Sequence, residues 1–182
     1  MGKLLLLNGN VDKLQIDIVC TGTYQRKIEA VIDTGAYHSF MGIRYVLRLG
    51  YEQNALNSKK IVPIYGFTSE PKRRNSTIQL SEVNERTEIP AAYMLEIKHI
   101  KIGDIDFPTP IIWVPIIITF NAKKEIHIRY IRENIMLIGT DLLRMLNYGI
   151  SVEDKPVFKF SKSKNNYRPK PDYDLFLRFI EK

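Results

Sequence analysis

At 182 residues, with 45% hydrophobic and 26% charged side chains, the chain has the composition of an ordinary globular protein with enough apolar material for a sizeable core. No apolar run reaches the roughly 20 residues of a membrane span, and the single Cys20 leaves no internal disulfide, which fits a reducing, cytoplasmic setting. The formal charge of +7 comes from Lys and Arg spread along the whole chain; the clusters at Lys72-Arg73-Arg74 and across 159–170 read as solvated loop and tail, so no nucleic-acid partner is expected.

Taken in order, Lys3 to Leu7 is a short apolar run, too short for a signal peptide and without a small-residue cleavage site. The turn signal Asn8-Gly9-Asn10 follows, and Leu14, Ile16, Ile18 and Cys20 then alternate on one face, which predicts a hairpin between the two runs. A third strand, Arg26 to Ile32, leads into Asp33. Phe40, Ile43, Val46 and Leu47 allow a short helix before Gly50. Lys60 to Phe67 reads as a strand, and the polar stretch Ser69 to Glu88 as a long hairpin or an inserted loop. Strand pattern returns over Ala91 to Ile102, with a turn at Gly103-Asp104. Ile111 to Phe120 follows as a strand whose Pro115 predicts an edge or a bulge.

The charged segment Asn121 to Asn134 is a loop or a frayed strand. Ile135 to Gly139 is a continuous apolar run suited to a strand buried on both faces. A short helix is predicted over Leu142 to Leu146, capped by Thr140 or Asp141 and stopped by Asn147-Tyr148-Gly149. Ile150 to Val152 and Val157 to Phe160 form a closing hairpin. Residues 1–160 thus make one domain, and 161–182 a basic tail in which Leu175, Phe176, Phe179 and Ile180 allow an amphipathic segment.

One stretch carries the chemistry. In Ala30-Val31-Ile32-Asp33-Thr34-Gly35-Ala36, two β-branched strand formers deliver a carboxylate to the end of a buried strand, and Gly35 permits a tight turn immediately after it. Asp33 is either a turn residue hydrogen-bonded to its own backbone or an acid presented for reaction. The neighbouring His38 and Ser39 do not make a hydrolase triad with it, because adjacent residues of an extended chain point to opposite faces. His38, His99 and His127 lack metal-ligand spacing, and neither a metal nor a cofactor is expected.

Together with Met136-Leu137-Ile138-Gly139-Thr140-Asp141-Leu142-Leu143 about a hundred residues later, the Asp-Thr-Gly stretch resembles the retropepsin family, the retroviral-type aspartic proteases. The likeness extends over roughly residues 12 to 160 and includes the order strands, Asp-Thr-Gly, flap, strands, apolar strand ending in glycine, short helix, final strand. It implies an all-β, closed-barrel-like fold with one short helix, and an endopeptidase acting on extended peptide or protein substrates. Such enzymes need two carboxylates sharing a proton, one activating water and the other protonating the scissile carbonyl. This chain has one Asp-Thr-Gly, and Gly139-Thr140-Asp141 would start the helix under the site. The resemblance therefore implies a homodimer with one Asp33 from each subunit. It further implies that Thr34 bonds across the dimer axis, that Gly35 supplies an amide to the carboxylate, and that Tyr65, Gly66 and Phe67 belong to a flap over the substrate.

Three departures stand against the family pattern. Thr140 occupies a place where retroviral members often have arginine, the insertion 121–134 has no obvious counterpart, and the termini differ. A catalytically silent dimer that binds peptides or protein partners is the alternative reading. Ala36 also matters, because acid-acting relatives usually carry a hydroxyl there that depresses the pKa of the carboxylate. Activity is therefore expected at mildly acidic to near-neutral pH, and a rate profile with full activity only in strong acid would overturn that expectation.

Overall fold

The computed structural model describes residues 3–6, 14–56, 59, 61–64, 78–152, 156–164 and 180–181. The chain runs through β1 (Lys3–Leu6), β2 (Gln15–Thr21), β3 (Gln25–Ile32), β4 (Phe40–Met41), α1 (Ile43–Arg48), α2 (Gln53–Leu56), β5 (Ile61–Pro63) and β6 (Ile78–Gln79). A 3-10 turn at Leu80–Glu82 precedes β7 (Ile89–Glu96), β8 (His99–Ile102), β9 (Ile105–Pro108), β10 (Ile111–Phe120), β11 (Ile126–Tyr130) and β12 (Met136–Ile138). Then come α3 (Thr140–Leu143), β13 (Leu146–Val152), β14 (Pro156–Lys162) and β15 (Ile180–Glu181). The fold is all-β, as the sequence predicts; α1 and α2 join the short helix after the second motif. Among the described residues no helix is long and apolar enough to cross a membrane.

Ten strands form one sheet in the order β5-β7-β10-β4-β12-β3-β2-β8-β9, with β11 on β10. Side chains from strands far apart in that order, Tyr93 of β7 and Ile100 and Phe107 of β8 and β9, share one buried cluster with Ile16, Ile28 and Val114. The sheet therefore curls around one main core. Period-two alternation supplies the inward face: Ile16, Ile18 and Cys20 from β2 meet Ile28, Ala30 and Ile32 from β3.

The expected first hairpin is not formed. β2 pairs with β3 through the Gly22-Thr23-Tyr24 turn, whose shorter connection joins two strands with matching inward alternation. β1 instead pairs with β14 in a separate sheet, β1-β14-β13. Pro115 also lies in an interior strand and not at an edge. β10 is bonded to β7 along one side, and along the other to β4 at Trp113 and to β11 from Ile116. The missing N–H of Pro115 falls at the changeover between those two neighbours, where the ladder loses nothing. Asn121 to Asn134 turns back as β11, the strand option of the sequence reading.

The stretch Ala91 to Ile102 is two strands, broken where Ile97 and Lys98 donate to Pro110 and Thr21 carbonyls. The closing hairpin is present as β13 and β14, but β13 begins at Leu146, so Asn147-Tyr148-Gly149 continues a strand. α3 correspondingly starts and ends earlier than predicted, at 140–143, for a reason that lies in the site itself. Most of the predicted tail helix lies outside the described residues, of which Ile180–Glu181 pairs in parallel with β6.

Candidate active site

Asp33 owes its position to an inserted strand. β3 ends at Ile32 and the chain re-enters the sheet at β4, but β12 occupies the slot between them, parallel to β3 and antiparallel to β4. Loop 33–39 must therefore straddle the end of β12, where Ile138 lies level with Ile32 and Leu137 lies level with both Val31 and Phe40. Gly139 passes directly beneath that loop. A Cβ at this position would sit 2.4 Å from the His38 carbonyl oxygen and 2.9 Å from that of Ala36, both backbone atoms that cannot swing aside.

The loop and the start of α3 are joined by a dense set of hydrogen bonds. Thr140 N–H donates to the Ala36 carbonyl (2.8 Å) and Asp141 N–H to that of Tyr37 (3.1 Å). The Thr140 hydroxyl also donates to Tyr37 O (3.3 Å). These bonds satisfy amides that a helix start otherwise leaves orphaned, which is why α3 begins at Thr140 with Gly139 as its cap and no side-chain cap. Beneath them, the Ser39 hydroxyl donates to Asp141 Oδ1 (2.6 Å), Ser39 N–H to Oδ2 (2.9 Å) and Leu142 N–H to Oδ1 (2.7 Å). The Ser39 oxygen in turn accepts from Gly139 N–H (2.9 Å). Ser39 is 0% and Asp141 6% exposed. Burial raises the Asp141 pKa, and the donors from Ser39 and Leu142 oppose that rise.

Asp33 itself is half-buried. Its N–H extends the β3–β12 pairing by donating to Ile138 O (3.0 Å), and its Oδ1 accepts from the amides of Gly35 (2.9 Å) and Ala36 (3.2 Å). Among the described residues nothing donates to Oδ2. Asp33 is thus a turn residue through Oδ1, and Oδ2 is left without a donor among the described residues. A Cβ on Gly35 would lie 3.2 Å from Oδ1, so a side chain there presses on the carboxylate. Thr34 is exposed at the tip of the loop.

Alternation along β3 puts Asp33 on the face opposite the main core, together with Val31. Cross-strand register continues that face through Leu137, Phe40, Trp113 and Met94, one residue from each of four further strands. Phe40, Ala92, Met94 and Trp113 form a second buried cluster there, with Ile64, Ile111 and Leu137 against it. His38 stacks on Trp113 (centroids 3.7 Å, 13° between planes) and meets Tyr37 edge-on at 4.7 Å. Burial lowers the His38 pKa to about 4, so its ring is neutral over most of the physiological range.

The structure thus gathers Asp33, Thr34, Gly35 and Ala36 with Gly139, Thr140 and Asp141, while Tyr65, Gly66 and Phe67 lie outside the described residues. Ser39 is occupied by Asp141 and sealed from solvent, so it does not act as a nucleophile. Cys20 is likewise fully buried, its thiol pushed up to about 12 by desolvation. Among the described residues no three His, Cys, Asp or Glu side chains come together as a metal-holding set. Sequence reasoning did not find the Ser39–Asp141 pair or the Trp113 face. The available signal was a hydroxyl six residues beyond Asp33, and the sole tryptophan in an apolar strand.

No protein-family model and no curated protein sequence matches the chain. Among solved structures, a retropepsin-like aspartic protease from Rickettsia conorii is similar at 16% identity and a TM-score of 0.49, over 88% of this chain and 89% of that one.

Two outcomes follow from this geometry. Replacing Asp141 by Ala strands the Ser39 and Leu142 donors in a buried site and should cost about 2–4 kcal/mol of stability, measured by urea unfolding, whereas Thr140→Ser should be near neutral. For His38, a folded pKa below the unfolded value means that its contribution is complete above the unfolded pKa of about 6.5 and declines as pH falls towards about 4. The urea midpoint should therefore drop across that interval. His38→Phe, which keeps a ring against Trp113, should flatten that part of the curve.

Proposed function

We propose that the chain is an aspartic endopeptidase of the retropepsin type, active as a homodimer that pairs one Asp33 from each subunit. The observation that carries this reading is the Asp33 loop itself: a carboxylate at a strand end, pinned through Oδ1 and backed by a buried clasp, with its second oxygen unoccupied by the described residues. Such rigidity suits a group that must meet its partner within a few ångströms. Asp141, the other acid of the two motifs, is committed to Ser39 and Leu142, which supports a second reacting carboxylate from another copy.

In that dimer the two acids share one proton, because like charges so close cannot both ionise, and their apparent pKa values belong to the pair. The ionised member takes a proton from water as the water attacks the peptide carbonyl. The protonated member gives its proton to the carbonyl oxygen, and the resulting tetrahedral intermediate collapses with proton transfer to the leaving nitrogen. Thr34, exposed beside the axis, ties one loop to the other. An extended peptide would lie past Asp33 against the face of partly exposed Leu137, Ile64 and Ile111, which cover the buried Phe40, Trp113 and Met94, with Tyr65, Gly66 and Phe67 closing over it. The apolar character of that face favours hydrophobic side chains flanking the cleaved bond. The protein is proposed to work in the cytoplasm, with 161–182 as an appended basic tail.

Hydrolysis of an apolar peptide library should be inhibited by pepstatin and fall by about 10³-fold or more in Asp33→Asn. Mixing that variant with the wild type at equal concentration should leave roughly a quarter of the activity, because only dimers with two intact acids react. A linear fall to one half would mean that each subunit works alone. Peptide binding with no hydrolysis in the wild type would favour the silent binding dimer.

A further inference from the structure

Beside α3 lies a cavity of about 350 Å³ whose lining includes none of residues 33–39 and which the proposed chemistry does not use. It opens between the β9–β10 connection, α3 and the end of β14, and its volume lies within the range of small-ligand sites. Phe107, Ile111, Leu142 and Met145 give it an apolar lining. Its lining holds three carboxylates, Glu96, Asp106 and the buried Asp141, and one ammonium, Lys162; the exposed margin of Glu96, Asp106 and Lys162 thus carries an excess of carboxylate on a chain whose formal charge is +7. That reversal of sign is local.

The margin also holds the backbone in an unusual state. Thr109, between Pro108 and Pro110, has φ of 49°. A β-branched residue rarely enters the left-handed region, and one that precedes proline is further disfavoured in helical conformations. Thr109 N–H donates to Lys98 O (2.8 Å), and Ile97 N–H to Pro110 O (3.1 Å), so the strained corner is held from both sides. Strain kept in place by its surroundings points to a position with a task. The cavity's inner wall includes Asp141, the carboxylate that grips Ser39.

We propose that this cavity is a second binding site, which takes a small apolar group bearing a cation, and that its occupancy is transmitted to the Asp33 loop through Asp141 and α3. The apolar part fills the space over Leu142 and Met145, and the cation sits between Glu96 and Asp106. A ligand there touches the same side chain and the same helical turn that hold Ala36, Tyr37 and Ser39 in place. The coupling needs no long path: Asp141 faces the cavity on one side and the loop on the other.

The test is a titration of the full chain with phenethylammonium, followed by amide NMR, with phenylacetate as the anionic control. Saturable shifts should appear at 105–111 and 142–145 with a dissociation constant of about 1 mM or tighter, well within the per-atom limit for a ligand of that size. Smaller shifts should appear with the same midpoint at 33–39. Glu96→Gln combined with Asp106→Asn, both exposed positions, should weaken binding of the cation about tenfold and leave the circular dichroism spectrum unchanged. Met145→Trp, which fills the space, should abolish it. Equal or tighter binding of phenylacetate, or no saturable shift from either probe, overturns the site; shifts confined to the cavity overturn the coupling. Neither result depends on peptidase activity, so the outcome is separable from that of Asp33→Asn.

Discussion

The Ser39–Asp141 contact is the constraint on which the site depends. Burying a carboxylate is costly unless donors replace the water it loses, and here Ser39 and Leu142 supply three, one of them at 2.6 Å. An apolar pair of similar volume would cover the same space without the desolvation cost. What it would lack is direction. Hydrogen bonds to both carboxylate oxygens fix the loop relative to α3 along more than one axis, so it cannot slide on its seat. The chain gives up some stability at this point and gains a single position for residues 33 to 39.

Topology makes such a clasp necessary. Without β12 between β3 and β4, a loop of this length would simply connect two neighbouring strands and its course would be loosely specified. With β12 inserted, the loop has to arch over Gly139, which brings its carbonyls at Ala36 and Tyr37 within hydrogen-bond reach of the start of α3. The first turn of α3 provides the donors. Each element thus satisfies the backbone groups that the other leaves unpaired: the loop caps the helix, and the helix start supports the loop.

Much of this was legible in the sequence because it rests on short-range signals. Alternation identified β2, the run Arg26 to Ile32 indicated β3, the apolar run ending at Gly139 identified β12, and the Asp-Thr-Gly stretch marked a turn. What stayed hidden was pairing at long range. Leu4 to Leu6 carry no local information that their partners are Val157 to Lys159 and not Leu14 to Cys20. Pro115 looked like an edge residue because local rules cannot see that a strand changes neighbours beside it. The helix boundary failed for the same reason, since the groups that start α3 belong to residues a hundred positions earlier. Ser39 was passed over because the worth of a hydroxyl depends on the carboxylate it meets.

The two readings of Asp33 are reconciled by counting oxygens. A turn aspartate needs one acceptor, and the amides of Gly35 and Ala36 both converge on Oδ1. Holding that oxygen restricts rotation about the side-chain torsions and so aims the other one. For the proposed reaction, a mobile carboxylate would have to lose its entropy of orientation at the moment of reaction, whereas the turn bonds remove part of it on folding. The aromatic stack of Tyr37, His38 and Trp113 anchors to β10 the same arm of the loop that the Ser39 clasp holds, while Asp33 N–H on Ile138 O fixes the other end. The loop is thus held at both ends, with Oδ1 fixed and Oδ2 without a donor among the described residues. Because a single carboxylate cannot be base and acid at once, the proposed hydrolysis requires a second carboxylate from outside this loop.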